Sequence, residues 1–254
     1  MLSILIPAYN AERFITPAVL SATRQTDRHP VEILVCDDGS TDNTARELHA
    51  LKQQVTSLRV LSHRTNRGVS AARNTLVANV HQATKYVAFF DADDMYVDGA
   101  LGRSIRLLEE SPRTDITLGR MRVVRSSALE DGELVAEDWP VLHGVTLSAS
   151  VIRRHLVSKV GTFNEGLSHG EDLDYLIRIA ELSDARLLHD DVVFYYRRHG
   201  TNATGDVKAL RRGFMHAMLL HARRRAADPT LRDISGLVPE MDPKIREQLL
   251  SIDR

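Results

Sequence analysis

A single cysteine, Cys36, is all that 254 residues contain, which excludes an intramolecular disulfide and any site built on several thiolates. Its setting in VEILVC marks it as a small core residue, and its solitude agrees with a reducing compartment. An excess of either charge is missing too. Lys and Arg total 33 against 34 Asp and Glu, so the overall balance gives no argument for nucleic acid as a partner. No apolar run approaches the roughly 18 to 20 residues that span a bilayer. Met1 is followed at once by a strand-like ILIP, with no basic n-region, so the expectation is a cytoplasmic protein without a removed leader. Internal repeats and low-complexity linkers are also absent, which favours lobes sharing one sheet over independent domains.

What the chain does have is a regular alternation. Short apolar runs at residues 2–6, 31–36, 58–61 and 86–90 have strand length and strand composition. Helical patterns at about 16–23, 44–51 and 69–80 separate them, the first opened by Thr16-Pro17. Strands alternating with helices predict parallel βαβ units with right-handed crossovers, whose ligands bind beyond the carboxyl ends of the strands. The four polar loops that follow these runs should therefore gather at one edge. Beyond Tyr96 the pattern loosens: a helix over about 99–110, short β-like pieces at 116–118 and 121–125, a polar acidic segment at 128–138, helices at 152–157 and 173–182, and a last strand at 192–196. From Lys208 to Arg225 no acid occurs, and Leu210, Phe214, Ala217 and Met218 share a helical face, so this is a basic amphipathic helix. Packing on the body and docking on an anionic membrane surface are both open to it. In the tail after Asp228, rich in Pro at first, no chemistry is legible.

The stretch around which everything else is arranged is KYVAFFDADDMY, residues 85–96, where a buried strand empties into Asp91, Asp93 and Asp94. Carboxylates this close repel each other and would repel a phosphate. Either they form a solvated acidic turn, or a divalent cation lies between them, magnesium or manganese carrying a diphosphate. Alternate residues of an extended strand end project to one side, which lets Asp91 and Asp93 face one ligand.

The loops ILIPAYNAERFI, VCDDGSTDNT, NRGVSAARN and FFDADD, then GEDLDYLIRIA and YYRRHGTNAT, resemble the family 2 glycosyltransferases in order and spacing, over about residues 1–202. The resemblance implies an α/β chain of the glycosyltransferase A-type, a Rossmann-like mixed sheet, mostly parallel and flanked by helices, with a C-terminal helical extension. It implies a nucleotide-sugar-binding half at 1–95, an acceptor-binding and catalytic half at 96–205, and the extension at 206–254. The implied activity is inverting transfer of a hexosyl or N-acetylhexosaminyl group from a nucleotide sugar, chiefly a UDP-sugar, to a hydroxyl of a glycan or lipid-linked acceptor. Mn2+ or Mg2+ is the implied cofactor. Polysaccharide biosynthesis is the implied setting.

Carried over residue by residue, the likeness makes Asp172 the general base, Asp93 a metal ligand in a DXD motif, Asp91 a contact to ribose or metal-bound water, and His199 a further metal ligand. Asp38 would accept a hydrogen bond from uracil or ribose. Pro7 and Ala8 would offer backbone groups to the nucleoside, Tyr9 a ring to the base, and Arg73 a guanidinium to the nucleotide. Glu171 and His169 would meet the acceptor. The residues themselves leave plainer roles open: an Asx turn for Asp38, a rim tyrosine, a helix-surface arginine, a helix cap for Asp172, a surface histidine. At about 100° per residue, Leu173, Leu176, Ile177 and Ala180 define a buried helix face with Glu171, Tyr175 and Arg178 opposite and Asp172 at the border. A nucleotide-sugar binder without turnover and a sugar-nucleotide pyrophosphorylase are the alternatives. The latter needs a glycine-rich basic loop, which residues 7–13 lack, and a receiver-type module should be near half this length.

Overall fold

In a computed structural model of the chain, residues 1–26, 28–125, 141–143, 146–200, 207–232 and 234 are described. The acidic segment at 128–138 and the tail beyond residue 234 lie outside them. β1 (Leu2–Ala8), β2 (Val31–Asp37), β3 (Leu58–Ser62) and β4 (Tyr86–Phe89) form the parallel part of the sheet, in the order β3-β2-β1-β4. Every residue of β1 is buried, because both faces are covered. Ile4, Ile6 and Val35 face α1 (Ile15–Thr23) and α2 (Thr44–Gln54), whereas Leu5, Leu34 and Cys36 face α3 (Val69–Ala78). Burial, then Asp38 and Asp37, push the Cys36 thiol up to about 12, so it is an inert core group.

After β5 (Met95–Tyr96) and α4 (Ala100–Glu110) the sheet continues with mixed pairing. Beyond β4 the order is β8 (Ser150–Arg153), β6 (Ile116–Arg125), β9 (Arg186–Arg198), β5, with β7 (Val141–His143) paired to β6. β8 runs antiparallel to both β4 and β6, and β6 runs parallel to β9. Two expectations change here. The pieces at 116–118 and 121–125 are one strand, β6 (Ile116–Arg125), with register shifts around Arg120. Gly119 interrupts the pattern because a Cβ there would collide with Val193 and His189. Ile152 is not helical: buried, β-branched Val151 and Ile152 pair within the sheet, and α5 (Arg154–Val160) begins only after Arg153.

A third change concerns α6 (Glu171–Leu182), which has no free face. Tyr175 is fully buried, its ring stacked on Phe163 at 4.0 Å and edge-on to Phe89 at 5.7 Å. On the other flank Ile177 and Ala180 pack on Ala217 and Ile234. A wheel that allows one buried face misplaces Tyr175, because this helix is sandwiched between the sheet and α7 (Val207–Ala227). α7 is riveted to α6: Arg224 pairs with Glu181 and Asp174 at 2.9 Å each, and His221 Nδ1 lies 2.6 Å from Glu181.

The rivet closes at two glycines. Gly170, at φ 79°, abuts Gly213, and a Cβ on Gly213 would lie 2.7 Å from the His169 carbonyl. Gly213→Val is expected to lower stability by about 1–3 kcal/mol in urea unfolding, since backbone cannot yield there as a side chain would. An unchanged midpoint would mean that α7 does not seat on this turn.

Candidate active site

The carboxyl ends of β1 and β4, the start of α6, the end of β9 and one turn of α7 enclose a cavity of about 610 Å3. The βα loops at its floor are knitted together: Asn43 donates to Glu12 at 2.8 Å, Ala11 N–H to Thr44 at 2.8 Å, and Thr41 N–H to Asn10 at 2.9 Å. Pro7, Tyr9, Arg73, Asp91, Asp93, His169, Glu171, Asp172 and His199 all line the cavity, although they come from five separate stretches of sequence.

Arg73 is the hub. Its guanidinium is buried and meets Asp91 at 2.9 Å, Glu171 at 3.1 Å, and Asp172 through a short ion pair. Ser148 Oγ adds a 3.3 Å hydrogen bond to Asp91. Three carboxylates around one cation leave an excess of negative charge. Burial raises the Asp172 carboxyl, Arg73 opposes that, and Glu171 and Asp91 add to it; the result is about 7. Asp91 is raised as well, by burial first, against Arg73.

A second cluster lies across the cavity. His199 Nε2 stands 3.0 Å from Asp93 Oδ2, with the imidazole stacked on Phe14 at 4.5 Å. Asp94 is buried beneath, where it accepts the Arg197 N–H at 2.9 Å and so holds the end of β9 against the acidic loop. Burial, then Asp93 and Asp91, raise the Asp94 carboxyl well above the usual range. A carboxylate oxygen and an imidazole nitrogen this close offer two donors that suit a manganese or magnesium ion. Among the described residues no group of three His, Cys, Asp or Glu is arranged to hold a metal, so further positions would fall to substrate and water.

Asp38 and Ala8 are not on the cavity wall. Asp38 is buried and turned inward, bonded to His63 Nδ1 at 2.6 Å and to the N–H groups of Arg67 at 3.0 Å and Gly68 at 2.7 Å. The carboxylate expected to accept from uracil or ribose thus has its oxygens occupied by these loop groups. Its neighbour Gly39 packs on the Thr65–Asn66 backbone, and in that crowded turn the loop N–H groups have Asp38 as their acceptor. Ala8 is buried, with its carbonyl accepting the Asp38 N–H at 2.8 Å. Arg73, expected to reach the nucleotide, lines the cavity and is held there by acids. Phe14, Ser148 and Leu210 escaped the sequence reading; a stacked ring, a serine from a distant 3-10 turn and one turn of a terminal helix leave no spacing signal.

The model of one protein family, described as glycosyl transferase family 2, matches residues 3–144. The chain belongs to glycosyl transferase family 2. This family 2 chain is 28% identical over 214 residues to chondroitin synthase of Escherichia coli, covering 80% of this chain and 30% of that protein. It is 29% identical over 136 residues to the Escherichia coli UDP-Glc:alpha-D-GlcNAc-diphosphoundecaprenol beta-1,3-glucosyltransferase WfgD, covering 54% of this chain and 51% of that one. It thus spans about a third to a half of the length of these relatives. Among solved structures, S. aureus TarS 1–349 in complex with UDP-GlcNAc superposes with a TM-score of 0.70 at 22% identity, over 87% of this chain and 65% of that one. The mannosyltransferase PcManGT from Pyrobaculum calidifontis, in complex with GDP-Man and Mn2+, gives 0.63 at 19%, over 98% and 68%. The glycosyltransferase A-type fold expected from the loops is the fold of this family 2 chain.

Proposed function

We propose that the chain transfers a sugar from a nucleotide donor, a UDP-sugar foremost, to a hydroxyl of a glycan or lipid-linked acceptor, with inversion. The observation that carries this reading is the meeting of two chemically different acidic clusters, Asp93 with His199 and Asp172 with Arg73, around one cavity. Asp93 and His199 would hold Mn2+ or Mg2+, whose chemistry is that of a Lewis acid for a leaving diphosphate. Pro7 and Tyr9 lie where the nucleoside would sit, with Asp38 fixing the loop behind them rather than touching the base. Residues 1–95 supply the nucleotide side and 96–205 the acceptor side. From the C-terminal extension, 206–254, α7 backs the helix that bears Asp172.

Asp172 takes the proton of the acceptor hydroxyl, with Glu171 and His169 beside the acceptor. A carboxylate raised to about 7 is a better base than a free one, yet it must be ionised to act. Transfer therefore rises with pH through about 7, being lost below it, where Asp172 is protonated. UDP-, GDP- and dTDP-sugars are offered with Mn2+ or with chelator, and released nucleotide and pH profile are followed. Expected are UDP release, dependence on the metal, and the ascending limb. Saturable donor binding with no release of any nucleotide would overturn the transferase reading in favour of a binder.

A further inference from the structure

Large apolar side chains left exposed among the described residues are concentrated on one element. Leu210, Phe214, Met215 and Leu219 belong to α7, and outside it only Tyr9 at the cavity and Leu188 on β9 join them. Met215, Leu219, Ala222 and Ala226 are all exposed and follow at i, i+4, i+7 and i+11, a strip along the outer face of the helix. Its inner face, Ala209, Gly213, Ala217 and His221, is spent on α6 and the body. The outer strip thus has no partner among the described residues.

Its flanks indicate what covers it. Lys208, Arg211, Arg212 and Arg223 are exposed, and the sequence from Val207 to Ala227 contains no acid. An apolar strip between rows of basic residues suits a surface that is apolar inside and anionic at its headgroups. A self-association face would bring these cations against their own copies. The helix is also not apolar enough to cross a bilayer. We infer that α7 lies on the surface of an anionic lipid bilayer, with Met215 and Leu219 entering the acyl boundary and Lys208, Arg211 and Arg223 on the headgroups. Leu210 belongs both to this helix and to the cavity wall, so the docked helix is also part of the candidate site. The inference does not rest on transfer, since the surface is defined by exposure and charge alone.

The test is sedimentation of the full chain with vesicles of phosphatidylcholine containing about one third phosphatidylglycerol, against phosphatidylcholine alone. Binding to the anionic vesicles, weakened by salt, is expected. The Lys208→Gln, Arg211→Gln, Arg223→Gln triple variant should bind on the order of a hundredfold more weakly, each cation at such a surface being worth several-fold. Met215→Ser with Leu219→Ser should weaken binding separately, because it removes the apolar half of the contact. None of these side chains lines the candidate active site, and unchanged circular dichroism and donor affinity identify variants that have folded. Failure of the intact chain to bind either vesicle would overturn the inference. So would equal binding to both vesicles, or a dimer in solution that Met215→Ser with Leu219→Ser dissolves.

Discussion

Asp172→Asn is expected to keep donor affinity and lose roughly a hundred- to ten-thousandfold in kcat, the range that a positioned general base supplies. The amide preserves shape and can still meet Arg73's neighbours, but it has no lone pair basic enough to take a proton. Stability separates this role from a structural one. The Asp172 carboxyl is raised in the folded chain, so ionising it opposes folding, and stability is lost as pH rises from the carboxylate range through about 7. A neutral amide removes that cost, and Arg73 keeps Asp91 and Glu171. The thermal midpoint of Asp172→Asn at pH values above about 7 should therefore not fall below that of the parent. A lowered midpoint with undiminished kcat would make Asp172 a structural anchor and send the search for a base elsewhere in the cavity.

The first four strands and their loops were legible because two-faced burial writes strands as apolar runs, and because a ligand edge must be polar where those runs stop. Asp91, Asp93 and His199 could be singled out for the same reason, since they closely follow strands, whereas Asp172 opens a helix and is marked by the resemblance. The misreadings have a common cause, which is that contacts between distant segments decide them. Asp38 looks like a free carboxylate at a strand end, and only the fold shows that the Arg67 and Gly68 N–H groups claim it. Tyr175 looks exposed on a wheel, and only the arrival of α7 on the far flank turns both sides of α6 inward. β9 was read as five residues because His189, Asp190 and Asp191 interrupt its alternation, yet its pairing with β6 begins at Arg186. Arg73 is the largest of these cases. A guanidinium on a helix after a glycine turn looks outward by default, and nothing local shows that three acids surround it.

Removing that guanidinium should cost more than removing any acid it holds. Arg73→Ala leaves Asp91, Glu171 and Asp172 facing one another with their shared counter-charge gone, and breaking a buried ion pair from one side costs about 3–5 kcal/mol. Urea unfolding near neutral pH should show that loss. As pH falls Asp91 and Asp172, both raised, take up protons and need the cation less, so the difference from the parent must shrink in acid. Function should suffer in a specific direction as well. Both influences that lower the Asp172 carboxyl come from Arg73, its charge and its hydrogen bond, so without it that group rises further above about 7. Any transfer that survives should have its ascending limb displaced to higher pH. Arg73→Lys restores charge without the planar fork that reaches several carboxylates at once, so it should recover part of the stability and less of the rate. A variant lacking Arg73 that unfolds at the parent's urea midpoint would show that the acids are balanced by something else, and with it the electrostatic account of Asp172 would fail.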